Sequence, residues 1–268
     1  MKGRVLIVAG SDSGGGAGIQ ADIKAVTALG GFAMTAITAL TAQNTQGVHG
    51  IHDVPVDFVA EQMRVVLDDL GADCIKIGML HRPEIIEKVV DVLADLAPGV
   101  PVVADPVMVA KGGASLLADA AQDALKSRLL PAATLVTPNI PEAEVLTGLT
   151  VGDVSGMQAV ADALLALGPD AVLLKGGHLD GTDTLTDLLV TATGSEAFET
   201  ERLDTPNTHG TGCTLASAIA CGIAQGLSLG DAVRRGQAYV HEAIRTNPGF
   251  GSGHGPLNHA YTVGEFKP

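Results

Sequence analysis

The chain has 268 residues, 46% of them hydrophobic and 17% charged, a balance that excludes a disordered polymer and provides for a sizeable core. Against 30 Asp and Glu stand only 16 Lys and Arg, and the net charge of -14 repels a phosphate backbone. Aromatics are 3% and Trp 0, so the stacking platforms of single-strand binders are missing, nucleic acid is excluded as a partner, and the core is expected to be aliphatic.

Short apolar runs alternate with longer amphipathic ones, the pattern of parallel strands joined by crossover helices. Val5 to Ala9 reads as a buried strand, too short for the apolar region of a signal peptide. Ile19, Ile23, Val26 and Leu29 then recur at helical spacing until Gly30 and Gly31 stop the helix. Phe32 to Ala42 is the second strand. Phe58, Val59, Gln62, Met63, Val66, Leu67 and Leu70 trace one helical face, and Cys74 to Leu80 is the strand after it. Pro83 to Leu96 is a helix opened by proline in its first turn. Val102 to Ala104, Leu135 to Thr137 and Val172 to Leu174 are short strands that end in the polar turns DPVM, TPNIPEAE and KGGH. Thr184 to Val190 and Ala197 to Leu203 have no helix between them and read as a hairpin through Thr193, Gly194 and Ser195. Helices over about Thr211 to Gly226 and Gly230 to Arg245 precede a glycine-rich tail, GFGSGHGP.

These elements predict an α/β fold with a mostly parallel central sheet. Without a repeat or a linker, residues 1–268 read as a single domain. No stretch approaches the roughly 18 uninterrupted apolar residues of a membrane span, so no membrane partner is expected. Cys74, Cys213 and Cys221 form no CxxC pair, disulfide framework or structural zinc site, which fits a reducing cytoplasm.

The polar turns fall at the carboxyl ends of the strands, the edge where open parallel sheets bind ligands. Four segments carry chemistry. In AGSDSGGGAGIQADIK, residues 9 to 24, a strand runs through a glycine loop into a helix, an arrangement suited to an anion but equally to a plain turn. It matches neither a P-loop nor GxGxxG. Asp22 lies beside the apolar stripe of that helix and is either a solvated rim residue or a carboxylate in need of a partner. In TAQNTQG, residues 41 to 47, Gln43 and Asn44 can donate and accept as the edge of a heterocycle requires, while Asn44 also favours a turn. Asp105, Asn139, Glu142 and Lys175, spread over strand ends, are a donor set for Mg²⁺ and nucleotide phosphates, although each alone is a common cap or surface residue. In NTHGTGCTLASAIA, residues 207 to 220, a Gly-Thr-Gly turn enters a helix of small residues. Its amides at Gly210, Thr211, Gly212 and Cys213 are expected to converge as an anion hole, with the Cys213 thiolate stabilised by the helix start. A lone cysteine is otherwise a small buried side chain.

Together AGSDSGGGAGIQADIK, TALTAQNTQGV, KIGML, DPVM, TPNIPEAE, LLKGGH and NTHGTGCTLASAIA, in this order over residues 9 to 220, resemble the hydroxymethylpyrimidine/phosphomethylpyrimidine kinases of thiamine biosynthesis, a branch of the ribokinase-like superfamily. The resemblance implies a three-layer α/β/α sandwich and ATP-dependent phosphorylation of 4-amino-5-hydroxymethyl-2-methylpyrimidine and then of its monophosphate. It implies Gln43 on the pyrimidine edge with Asp22 and the Ala17 backbone beside it, and Met79 against the ring. Asp105, Asn139 and Glu142 are expected to organise Mg²⁺, and Lys175, Thr208 and Gly212 to meet ATP. Cys213 stands in GTGC where many superfamily members carry the aspartate base of a GxGD pattern. Superfamily relatives often pair, so a homodimer is expected.

The first acceptor is a neutral alcohol and the second an already ionised phosphate monoester, so only the first step is expected to depend strongly on a base. Cys213→Ser is then expected to slow alcohol phosphorylation more than monophosphate phosphorylation, and Lys175→Ala to harm both. A pyridoxal kinase and a non-catalytic pyrimidine-binding module are the alternatives. Tyr239 and the tail are adenine candidates by position only, and His209 and His254 are phosphate contacts or exposed loop residues. A fused thiamine-phosphate-forming domain is not expected.

Overall fold

The computed structural model describes residues 1–108, 116, 120–179 and 183–265. In chain order it runs β1 (Arg4–Asp12), α1 (Gly18–Ala28), β2 (Phe32–Asn44), β3 (Gly47–Asp53), α2 (Val56–Asp69), β4 (Cys74–Ile77), α3 (Pro83–Leu96) and β5 (Val102–Ala104). Then come α4 (Ala121–Ala124), which widens into a π turn at Leu125–Leu129, β6 (Leu135–Val136), α5 (Ile140–Thr147), α6 (Met157–Leu165), β7 (Ala171–Leu174), β8 (Thr184–Thr191), β9 (Gly194–Glu201), α7 (Thr211–Ala224) and α8 (Leu229–Arg245).

Among the described residues nine strands form one sheet in the order β3-β2-β1-β4-β5-β6-β7-β8-β9. From β2 to β7 the neighbours are parallel, and antiparallel hairpins close both ends. The strand pleat divides the core. Leu6, Val8, Ile75, Ile77, Val102 and Ala104 face the layer of α2 to α6, whereas Val5, Ile7, Ala9, Cys74 and Val103 face α1, α7 and α8. Strands buried on both faces must be apolar throughout, which is why β1 and β4 read as runs rather than alternations.

The expected hairpin is β8 and β9. Three departures from expectation stand out. The second strand continues to Asn44 and returns as β3, because Asn44 Oδ1 accepts from the Gln46 and Gly47 amides at 2.9 and 3.3 Å and turns the chain. Helices α4 and α6 had no counterpart in the sequence reading. The predicted α7 stops at Ala224, two residues short of Gly226.

Candidate active site

Where β1 pairs with β2 on one side and β4 on the other, the carboxyl edge of the sheet opens into a cavity of about 1060 Å³. Its wall includes the turn of Thr208 to Cys213, the strand-end residues Asp105 and Lys175, and Gln43 and Met79.

One end of the cavity is a charge centre. Gly210 caps α7 with φ +83, and a Cβ there would overlap the Gly16 carbonyl oxygen, so only glycine serves. Gly212 follows, and a Cβ on it would lie 3.3 Å from both Asp105 Oδ2 and Lys175 Nζ. The start of α7 therefore presses directly against the charged pair. Lys175 Nζ donates to Asp105 Oδ1 at 2.8 Å, and Thr137 Oγ1 donates to the same oxygen at 3.0 Å. Of the four amides expected to converge, that of Thr211 is directed to Thr208 O at 3.4 Å, so the anion hole is narrower than the spacing implied.

Asn139 and Glu142 form a capping box at the start of α5: Glu142 N donates to Asn139 Oδ1 and Asn139 N to Glu142 Oε2, each at 2.9 Å. Burial, with Asp105 adding to it, pushes the Glu142 carboxyl up to about 7 against the pull of Lys175. Two buried carboxylates thus share one ammonium. That deficit of positive charge fits a divalent cation held through one or two carboxylates and completed by water and phosphate oxygens. Among the described residues no three His, Cys, Asp or Glu side chains are grouped to hold an ion by themselves.

The other end is less charged. Met79, 8% exposed, touches Gly10 and is fixed by Thr38 Oγ1 donating to its carbonyl at 2.7 Å. Gln43 Oε1 accepts from Thr41 Oγ1 at 3.1 Å. The glycine loop closes on itself: the Asp12 carboxylate accepts from the amides of Gly14, Gly16 and Ala17 at 2.8, 3.1 and 2.8 Å. The Ala17 backbone, expected beside a pyrimidine, lies on the cavity wall with its N–H engaged by Asp12, and the loop is a turn organised by its own carboxylate.

Asp22 is corrected more strongly. It is fully buried between α1 and α7 and is not part of the cavity wall. Both its oxygens accept from Lys76 Nζ at 2.9 Å, and Ser217 Oγ donates to Oδ1 at 2.7 Å. Burial opposes the charge of Lys76, but Asp22 outweighs it and raises the ammonium's pKa. Cys213 is on the wall, yet burial pushes its thiol up to about 11, with Lys76 pulling the other way. The helix start does not deliver a ready thiolate.

A family model described as phosphomethylpyrimidine kinase matches residues 12–258. The chain belongs to this family. A hydroxymethylpyrimidine/phosphomethylpyrimidine kinase of Streptomyces coelicolor is 48% identical over 265 residues, 97% of this chain and 96% of that one. The crystal structure of phosphomethylpyrimidine kinase from Clostridium difficile 630 superposes with a TM-score of 0.81 at 42% identity, covering 91% of this chain and 100% of that chain. The pyridoxal kinase of Staphylococcus aureus, in complex with AMP-PCP and pyridoxal, superposes with a TM-score of 0.89 at 33% identity, covering 98% and 96%. The fold is thus ribokinase-like, and backbone shape alone does not separate the two kinds of kinase.

Within this family member, three site residues escaped sequence reasoning: Asp12, Lys76 and Asp187. Asp12 pairs with His209 at 2.8 Å, and His209 is 7% exposed on the cavity wall rather than an exposed loop residue. Lys76 left a legible sign, a lysine alone in the apolar strand CIKI. Asp187 is on the wall beyond Lys175, where Gly176 N and Gln237 Nε2 donate to it at 2.9 and 2.7 Å. Tyr239, an adenine candidate by position, is 1% exposed, stacks on Tyr261 and is absent from the wall.

Proposed function

We propose that this chain transfers the terminal phosphoryl group of ATP to the hydroxyl of 4-amino-5-hydroxymethyl-2-methylpyrimidine and then, from a second ATP, to the monophosphate so formed. The charge centre carries the reading: Lys175, Asp105 and Glu142 meet the glycine-lined start of α7 inside one cavity, in a chain 48% identical to a kinase of that name. Phosphoryl transfer needs positioning and positive charge around the equatorial oxygens rather than covalent help from the protein. Lys175 supplies a fixed ammonium, and the Gly212 approach lets backbone amides close on the transferred group. The AMP-PCP bound to the Staphylococcus aureus relative supports ATP as donor.

Asp105 and Glu142 would hold Mg²⁺, with Asn139 fixing Glu142 through the capping box, and Thr208 lies on the same wall for the nucleotide. When bound, the ion supplies charge neutralisation for the donor phosphates. Gln43 and Met79 face the pyrimidine. The alcohol's proton goes to Cys213 once the thiol has given its own proton to bulk water, and the Lys76 ammonium is the group that favours this ionisation. The monophosphate acceptor arrives ionised and makes no such demand.

ADP release from Mg-ATP is measured with hydroxymethylpyrimidine, its monophosphate, pyridoxal and no acceptor in parallel. Turnover with both pyrimidines is expected. Preference for pyridoxal would move the chain to the activity named for the Staphylococcus aureus relative, and binding without turnover would make it a pyrimidine-binding module.

The same proposal places the protein in the cytoplasm as a homodimer. No helix among the described residues is long and apolar enough to cross a membrane. β3 leaves one edge of the sheet open, and Leu40, Phe58 and Val65 are 46%, 59% and 55% exposed on the adjoining β2 and α2. Sedimentation equilibrium should return the mass of two chains, and that of one would remove this part of the reading.

A further inference from the structure

Between β4 and α3 the chain makes a turn that glycine would make without strain. His81 makes it instead, with φ +64, and is the one non-glycine residue at positive φ among the described residues. Arg82 N donates to Leu80 O at 2.7 Å, so His81 is the centre of a three-residue turn, a strained form when its centre has positive φ. Such a conformation persists only where its surroundings fix it.

What fixes it lies at the acceptor end of the cavity. His81 Nδ1 is 2.9 Å from Leu116 O, and because a carbonyl can only accept, Nδ1 carries the proton and is the donor. Leu116 N donates in turn to Met108 O at 2.8 Å, so both backbone polar groups of Leu116 are held. Its side chain is buried on the cavity wall and belongs to one small apolar cluster with Met79 and Ala39. His81 itself is not on the wall. Its other ring nitrogen, Nε2, is 3.7 Å from Asp53 Oδ1, beyond hydrogen-bond reach.

We propose that His81 is a positioning residue: the strained turn after β4 aims its Nδ1–H at the Leu116 carbonyl and holds the Leu116 side chain beside Met79 as part of the apolar wall for the acceptor ring. His81 thereby sets acceptor affinity without touching the acceptor. The inference rests on the reading of Met79 as the residue against the pyrimidine, and the experiment separates the two.

Calorimetry on the full chain measures affinity for hydroxymethylpyrimidine and, separately, for AMP-PCP with Mg²⁺. His81→Gly relieves the backbone and removes the donor, and it should bind the pyrimidine about five- to tenfold more weakly than wild type, the effect of one hydrogen bond, with AMP-PCP affinity held within about twofold. His81→Asn tolerates positive φ and places an amide N–H as far from the backbone as Nδ1, so its pyrimidine affinity should stay within about twofold of wild type. Asparagine has no counterpart of Nε2, so this rescue also separates the bond to Leu116 from the approach to Asp53. His81→Asp has the same shape but only accepts, and it should bind no better than His81→Gly. Leu116→Ala should weaken binding by itself, and adding His81→Gly to it should weaken binding no further, because the tether acts through that side chain. Should the glycine variant not fold, as judged by circular dichroism, the comparison of asparagine with aspartate decides. Wild-type affinity in His81→Gly, equal losses in the asparagine and aspartate variants, an undiminished effect of His81→Gly on top of Leu116→Ala, or an equal fall in AMP-PCP affinity would each overturn the inference. The Met79 reading then stands if Met79→Ala weakens pyrimidine binding. A Met79→Ala variant that binds the pyrimidine as wild type does would overturn both.

Discussion

Cys213 titrates by what surrounds it, and two opposing surroundings meet there. The start of α7 and the Lys76 ammonium favour a thiolate, while burial disfavours it and wins, leaving the thiol at about 11. Near pH 7.5 only about one thiol in several thousand is then ionised, by the ordinary titration relation. If Cys213 takes the alcohol's proton, the rate of the first step should climb close to tenfold per pH unit between pH 7 and 9, measured in single turnover so that chemistry limits. The second step should stay nearly flat over the same range, and Cys213→Ser should remove the slope from the first. A profile shared by both steps would show that the thiol is not the base. Sequence placed this cysteine on the wall but misjudged its charge, because burial comes from packing that spacing does not reveal. Asp22 was legible as a carboxylate in need of a partner, and its partner Lys76 was visible as a lone cation in an apolar strand. The pairing of Asp12 with His209 was not, since the two are 197 residues apart and meet only through the fold.

Elements were legible where one periodicity governs them. α3 (Pro83–Leu96) and β5 (Val102–Ala104) fall where the sequence put them, the first a strongly amphipathic helix with proline at its start, the second a short apolar run ahead of DPVM. β3 escaped because GVHGIHD has glycines and histidines on an edge with no buried face to impose alternation. The tail escaped for another reason: it is held by single contacts. His259, 5% exposed, pairs its Nε2 with Thr214 Oγ1 at 2.9 Å, and its carbonyl accepts from Tyr239 Oη at 2.7 Å, so the chain after α8 clamps the start of α7. Burial, then the charge of Lys24, presses this histidine from 6.5 down to about 4. An unfolded chain takes up the proton near pH 6.5 and the folded one only near 4, so stability is lost progressively as pH falls through that window. The loss reaches about 3 kcal/mol at most. His259→Gln, which can still donate to Thr214, should show a smaller fall in urea midpoint between pH 7 and 4.5 than wild type. Parallel falls would mean that the acid sensitivity lies elsewhere.

At the scale of the whole molecule the sheet does the joining. Its two faces bury separate apolar clusters, yet neighbouring residues of the same strands feed both: Leu6 and Val8 one side, Val5 and Ile7 the other. Neither layer can lose its packing without exposing strands the other needs, and the backbone pairing from β1 through β7 is continuous. The sequence, lacking a linker, already read as one unit, and we expect one cooperative unfolding transition. The composition supplies a sharp test, because the chain has Trp 0 and Tyr 2, and Tyr239 and Tyr261 both lie on the side of α1, α7 and α8. Tyrosine fluorescence therefore reports one layer, while far-ultraviolet circular dichroism reports helices of both. Urea curves from the two probes should coincide in midpoint and steepness. A fluorescence transition that precedes the loss of circular dichroism would mean that the α1, α7 and α8 layer detaches first, taking with it the start of α7 and hence one wall of the cavity, before the sheet itself gives way.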